Sequence, residues 1–566
     1  MYIDIIPNRK SPPAILLRES IRQGQKIVKR TLANLSSLSI EQAHDIRQVL
    51  KGKKLVQPEE HFTILRSRPH GHVDAVLRTI RRLGLSKLIA SRRCKERDLV
   101  LSMIASRILC PQSKLSLTRD LENTTLGELL DVEGVDENEL YSAMDWLHKR
   151  QDGIEKRLAA RHLQEGGHVL YDLSSSYFEG TKCPLAARGY NRDQKKGKLQ
   201  VNYGLLTDQR GCPVSISVFP GNTTDPKTLI PQVKKLQGKF NLQSVVLVGD
   251  RGMITQKQID DIKEYEGVEW ITALKSGAIR KLMDTKVIQP TLFDEHNLFE
   301  LVHPDFPGEK LVACRNPELA YRRKHKRQAL LKATTTELEK IHSMIERGYL
   351  KDVDKIGVRV GKVINKYKMA KHFKLEITEK KFCFEIDEEK VKEEAALDGI
   401  YVIRTSLEEL LAEDAVRHYK SLSQVEQAFR SIKTMDLEVR PINHRLEKRV
   451  KTHLFLCMLA YYIKWHMMEA WRPLLFADED QHSKQTRDPV APAKRSTKAV
   501  EKINSRRLED GSVTHSFQSL LRNLATIVRN TCQKQGMEPK MPAFTVDTQH
   551  SKKQQEAFQL LQNIKM

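Results

Sequence analysis

Apolar residues recur at three- and four-residue spacing through VDAVLRTIRRLGLSKLI and RDLVLSMIASRIL, and this period predicts helices over about 72–165. YSAMDWLHKRQDGIEKRLAARHL continues it. Ahead of this region, AILL, the turn-like RQGQ and KIVKRTLANL read as a hairpin over 14–37, with a short helix at 41–51. After 167 the period changes. HVLYDLSSSYFEG (168–180) holds a short apolar strand that runs into polar residues. LQVNYGLLTDQRGCPVSISVFPGN (199–222) predicts two strands around a turn at Asp208 to Gly211. DPKTLIPQVKKLQGKF predicts a helix entered through Asp225 and Pro226. SVVLVGDRG (244–252) begins as a wholly apolar strand, which must be buried on both faces. TQKQIDDIKEYEG predicts another helix and VEWITALK (268–275) another strand. A hairpin followed by helix-connected strands is an α/β layout with a mixed sheet.

Residues 279–395 interrupt this order with strand-like pieces (KLVACR, GVRVGKVINKY, KFCFEID) around the charged helical stretch TTTELEKIHSMIERGYL, and read as a β-rich insertion. The α/β pattern resumes at DGIYVIRTS (398–406), followed by helices at 412–434 and 444–468. Residues 477–513 are polar and read as a linker, and FQSLLRNLATIVRN predicts an amphipathic helix near the end. The division expected is a hairpin and helix at 1–70, a helical, candidate DNA-binding region at 71–166 and a core in two parts, 167–278 and 396–470. The insertion at 279–395 separates those parts, and a linker with a helical C-terminal region fills 471–566. The longest apolar run, Leu454 to Ile463, falls short of the roughly 20 residues that span a bilayer, so a buried helix is expected there.

Charge adds a partner. The chain has 566 residues, with 96 Lys+Arg against 72 Asp+Glu, a net charge of +24. Both signs are abundant, and the excess favours a polyanion, nucleic acid above all. Apolar content of 40% excludes a disordered chain. The eight cysteines are scattered without zinc-knuckle spacing, which argues for a reducing interior. The N-terminal MYIDIIPNRK lacks the apolar core of a signal peptide, so a cytoplasmic protein is expected. No Walker-type phosphate loop is present, and a nucleotide cofactor is not implied.

Acidic residues at strand ends are the candidate chemistry. Asp172 follows apolar HVLY, and Asp250 follows apolar VVLV and precedes Arg251 and Gly252. An acid at the end of a buried strand is costly unless it is paired or holds a cation, although one alone is commonly a cap or loop residue. In the helix expected at 412–434, Leu422, Val425, Phe429 and Ile432 form an apolar stripe, with Tyr419, Glu426, Arg430 and Lys433 on the adjoining face. Taken alone, Glu426 reads more readily as a surface acid paired at four-residue spacing with Arg430.

Together these segments resemble the DDE transposases of bacterial insertion sequences, in the group with a Tyr-Arg-Glu-Lys signature. HYKSLSQVEQAFRSIKT supplies Tyr419, Glu426 and Lys433 at the family spacing, with Leu422 where the family has Arg. YDLSSSYFEG resembles the first-Asp strand, VGDRG the second-Asp motif, and GNTTDPKTL the segment between them. The resemblance covers roughly 165–470. It implies an RNase H-like catalytic core in which Asp172, Asp250 and Glu426 are both the catalytic acids and the ligands of two Mg²⁺ ions, with Mn²⁺ able to substitute.

It also implies a double-stranded DNA partner (element ends and target), a homodimer in the synaptic complex, a location with the bacterial nucleoid, and no membrane association. Tyr419 and Lys433 would contact DNA phosphates, as would Arg251 beside the second acid. Arg430, one turn past Glu426, is the expected replacement for the missing Arg. Arg192, Lys195, Lys196 and Lys198, and Arg322, Arg323, Lys324, Lys326 and Arg327, either line the DNA path or form solvated loops. The reaction expected is strand cleavage at element ends and transfer to target DNA. The alternatives are an RNase H-like nuclease without strand transfer, or a non-catalytic DNA-binding derivative.

Overall fold

The computed structural model describes residues 1–9, 11–53, 62–195, 197–293, 296–378, 381–534 and 543–564. They fall into two compact units, Met1–Pro69 with Ile527–Gln549, and His70–Thr526 with His550–Met566.

The first unit opens with β1 (Tyr2–Ile6), β2 (Ala14–Gln23) and β3 (Lys26–Asn34), an antiparallel sheet in that order. A helix, Ile40–Leu50, is entered through Ser39, whose hydroxyl accepts from the Gln42 N–H while the Gln42 side chain accepts from the Ser39 N–H. Its Ala43 packs on Ile3 and Ile15 to make a small core. Strand β4 (Phe62–Pro69) belongs to a second sheet of this unit.

The second unit is built on one mixed sheet. Its strands are β5 (His168–Tyr177), β6 (Gln200–Asp208), β7 (Pro213–Pro220), β8 (Val245–Gly249), β9 (Val268–Ala273), β10 (Leu298–Leu301) and β11 (Lys310–Arg315). A ribbon of β12 (Phe373–Ile377) and β13 (Phe382–Ile386) stands apart, and β14 (Ile400–Thr405) returns to the sheet. The order is β10-β11-β14-β9-β8-β5-β6-β7. Only β5, β8 and β9 run parallel; the outer pairings are antiparallel. This is the expected α/β core, a mixed sheet flanked by helices as in an RNase H-like fold. The apolar strand β8 lies fully buried between β5 and β9, as its sequence demands.

Helices expected over 72–165 are present, among them Gly71–Arg82, Lys95–Leu109, Glu137–His148 and Gln151–His162. The helix Glu447–Ala470 is apolar on nearly every side over its middle and buried from Thr452 to Ile463. It packs against β7 and against the helices Lys95–Leu109 and Glu137–His148, joining the helical region to the sheet. Among the described residues no helix is long and apolar enough to cross a membrane.

Several local readings change. GVRVGKVINKY lies in a helix, Val353–Tyr367, not a strand. Its buried Ile356, Val360 and Ile364 repeat every four residues, and they pack against Leu338 and Ile341 of the long helix Pro317–Glu346. Most of 317–396 is therefore helical, while β10 and β11 extend the central sheet. The helix expected at 412–434 breaks into Ala412–Lys420 and Leu422–Arg430, followed by a wider turn through Met435. At the end of the chain the helix stops at Ala525, and the β-branched Val528 opens β15 (Val528–Lys534). That strand pairs antiparallel with β4 and with β16 (Phe544–Asp547), completing the second sheet of the first unit.

Candidate active site

Asp172 lies within β5 rather than at its end, because the polar run SSSY continues the strand to Tyr177. Its strand neighbour Tyr171 is fully buried and points to the opposite face. A Cβ on Gly204 of β6 would overlap the Tyr171 hydroxyl, so that glycine makes room for the ring. The parallel register pairs Tyr171 with Gly249, the last residue of β8, and so brings Asp172 beside Asp250, the residue that follows that strand. Asp250 turns the chain sharply: its carbonyl accepts from the Met253 and Ile254 N–H groups, both at 3.0 Å, and its carboxylate accepts from the Gly252 N–H. A Cβ at Gly252 would stand 3.3 Å from that carboxylate oxygen.

The helix Leu422–Arg430 packs on β5 through Leu422, Val425, Ala428 and Phe429, with the Phe429 ring edge-on to Tyr203 of β6 at 5.8 Å. Glu426 is on its exposed side. The result is a pocket of about 430 Å³ that Asp172, Asp250 and Glu426 line together. Burial pushes the Asp172 carboxyl up to about 7, and the charges of Asp250 and Glu426 add to that; the Leu173 N–H, 2.8 Å from Asp172 Oδ1, and Arg192 oppose it. Three acids this close are electrostatically unfavourable without a cation.

Cations occupy the other wall. Lys433 and Arg430 both line the pocket. Lys433 Nζ is 3.2 Å from Ser174 Oγ and 2.7 Å from Asp193 Oδ1, and Arg440 pairs with the same Asp193 oxygen. Arg192 grips Asp225 with one nitrogen at 2.6 and 2.7 Å from the two carboxylate oxygens. The donors at the acidic end are all oxygen, suited to a hard divalent ion.

A model of the transposase DDE domain matches residues 164–463, just over half of the chain, and a model of the IS1634 family transposase N-terminal domain matches residues 3–61. The chain is a DDE insertion-sequence transposase. No curated protein matches it. The DNA partner and the general dependence of such enzymes on divalent metal follow from the family.

Other residues singled out in this transposase are spread more widely. Tyr419 sits on the neighbouring helix, close enough to Asp250 and Glu426 for their charges to reinforce burial in pushing its phenol up to about 12. Arg251 does not line the carboxylate pocket; it lines a separate cavity of about 790 Å³ with Arg323, Lys326 and Arg327. Arg322 pairs with Glu318, Lys324 is exposed, Lys198 pairs with Glu179, and Lys195 lies 6.0 Å from the Tyr177 ring centroid. Lys196 is outside the described residues. Leu422 is buried at 9% exposure and serves the packing of its helix. Asp193, Asp225 and Arg440 were not legible as pocket residues. Asp193 and Asp225 stand in charged segments between the two strand motifs and Arg440 beyond the Glu426 helix, and charge alone does not separate a pocket wall from a solvated loop.

Proposed function

We propose that this transposase cleaves DNA strands at the ends of its element and joins them to target DNA, using Asp172, Asp250 and Glu426 as its metal ligands and catalytic acids. The observation that carries this reading is the convergence of three acids, from β5, from the turn after β8 and from a helix 176 positions beyond Asp250, onto one pocket. The donor set and the raised Asp172 fit Mg²⁺, with Mn²⁺ as substitute and two ions per site. Bound there, the ions supply activation of a water or DNA 3′-hydroxyl and charge stabilisation of the departing oxygen. Lys433, held by Ser174 and Asp193, presents a fixed positive charge to a DNA phosphate, and Arg430 supplies the second cation in place of the family Arg. Tyr419 and Arg251 contact the backbone to either side. Two element ends require two such sites, and a homodimer on DNA provides them. The helical region at 71–166 reads the ends, and the protein acts at the nucleoid.

The test uses precut element-end DNA and a plasmid with Mg²⁺. Joined product from the wild type, and neither nicking nor joining from Asp172→Asn or Asp250→Asn, is the result expected. Nicking without joining assigns a nuclease; full activity in either variant overturns the assignment of the acids.

A further inference from the structure

Away from the carboxylates, three side chains with metal-binding donors meet from distant parts of the chain. His162 ends the helix Gln151–His162, Cys212 lies in the turn that enters β7, and His466 is on the buried helix Glu447–Ala470. One donor atom of each lies within 4.8 Å of the other two. Cys212 Sγ stands 3.9 Å from His466 Nε2, and the two imidazole rings are 5.8 Å apart at their centroids. Zinc bonds of about 2.3 Å to sulfur and about 2.0–2.1 Å to nitrogen place tetrahedral donors roughly 3.3–3.6 Å apart. Side-chain adjustments of about an ångström bring this trio to that spacing.

The trio is only weakly bonded within itself, and the one strong partner is the Tyr462 hydroxyl, 3.0 Å from His162 Nε2, so His162 would bind through its other nitrogen or give up that bond. A thiol 3.9 Å from an imidazole nitrogen makes at most a weak hydrogen bond. Arg210 is held by Asp208 at 2.8 and 2.9 Å, and Arg161 donates to the Leu83 carbonyl at 2.7 Å. A cavity of about 490 Å³, lined by His162, His466, Tyr462 and Glu469, leaves room for a fourth donor.

We propose that His162, Cys212 and His466 form a second metal site, for an ion of the Zn²⁺ class. Binding forms a sulfur–metal bond and releases the Cys212 thiol proton to solvent; no electron transfer is involved. A thiolate with two imidazoles selects a borderline ion, whereas the all-oxygen pocket selects Mg²⁺ or Mn²⁺. The two sites therefore sort different metals in one chain. Occupancy ties the β6–β7 turn and the end of the helix Gln151–His162 to the helix Glu447–Ala470, clamping the helical region to the sheet.

The full-length protein carrying Asp172→Asn and Asp250→Asn, so that the carboxylates do not compete, is dialysed against Zn²⁺ in a large excess of Mg²⁺. One Zn²⁺ per chain is expected, falling to near zero on adding Cys212→Ser or His466→Gln. Co²⁺ in place of Zn²⁺ is expected to give a thiolate-to-metal charge-transfer band, which needs no further variant to be read. Absence of retained Zn²⁺ and of that band, or Zn²⁺ retention unchanged by Cys212→Ser, overturns the site.

Discussion

Lys433 Nζ lies 2.7 Å from Asp193 Oδ1, and the Asp193 side chain has no solvent exposure. Arg440 pairs with the same oxygen, so one buried carboxylate holds two cations against the acidic pocket. The Tyr177 N–H, 3.0 Å from Asp193 Oδ2, fixes that carboxylate to the end of β5. The arrangement places net positive charge opposite Asp172 without leaving it free to collapse onto the acids.

Asp193→Asn removes the charge that Lys433 and Arg440 share and leaves two cations facing each other, one of them largely buried. Loss of one partner from such a cluster costs on the order of 3 kcal/mol. The urea midpoint is expected to fall, and end-DNA cleavage to fall further than stability explains, because Lys433 loses its fixed position. An unchanged midpoint would mean that the pairing contributes nothing to folding.

The acids give a pH dependence. Asp172 is pushed up to about 7, above the roughly 3.9 of an unfolded aspartate. The folded state therefore keeps a proton that the unfolded state has lost. This contribution to stability is full below about pH 4 and disappears as pH rises through about 7. Without metal, the melting temperature of the wild type should decline across that window more than that of Asp172→Asn. Mg²⁺ replaces the proton, so its stabilising shift should be larger at pH 8 than at pH 6. Thermal scans at both pH values check this; equal Mg²⁺ shifts in wild type and Asp172→Asn would sink it.

The order of elements was legible because β8 is wholly apolar and its neighbours alternate with helical periods. The meeting of Asp172 with Asp250 was legible only as far as both followed apolar runs. Their adjacency depends on the parallel register of β5 on β8, which pairs Tyr171 with Gly249 and which no local pattern displays. Val358 and Val360 in GVRVGKVINKY suggested a strand because β-branched residues favour one. The four-residue repeat of Ile356, Val360 and Ile364 against the long helix decided otherwise. Asp193 and Arg440, 247 positions apart, meet only in three dimensions.

The substitution of Leu at position 422 separates packing from DNA contact. Leu422 is buried and Arg430 is exposed on the pocket rim. Leu422→Ala should cost about 2 kcal/mol or more in stability and leave the salt dependence of end-DNA binding unchanged. Arg430→Ala should leave stability within about 0.5 kcal/mol and reduce the salt slope by about one. Fluorescence anisotropy across a salt series, paired with urea unfolding, distinguishes the two; a salt slope unmoved by Arg430→Ala removes it from the phosphate contacts.

The basic run at 322–327 divides in the same way. Arg327 is held by Asp398, with its Nη1 3.1 Å from Oδ1 and its Nη2 on the other oxygen, and both side chains are about nine-tenths buried. Arg323 and Lys326 line the cavity of about 790 Å³ that Arg251 shares. Removing a buried partner leaves Asp398 unpaired, so Arg327→Ala should destabilise by roughly 3 kcal/mol. The double variant Arg323→Ala with Lys326→Ala leaves that pair intact. It should weaken DNA binding uniformly across sequences and lower the salt slope by about two, with the unfolding midpoint unchanged. If the double variant binds DNA with the wild-type salt slope, the cavity is not on the DNA path, and the positive charge gathered there neutralises only the acids of its own walls, Glu394 and Asp398.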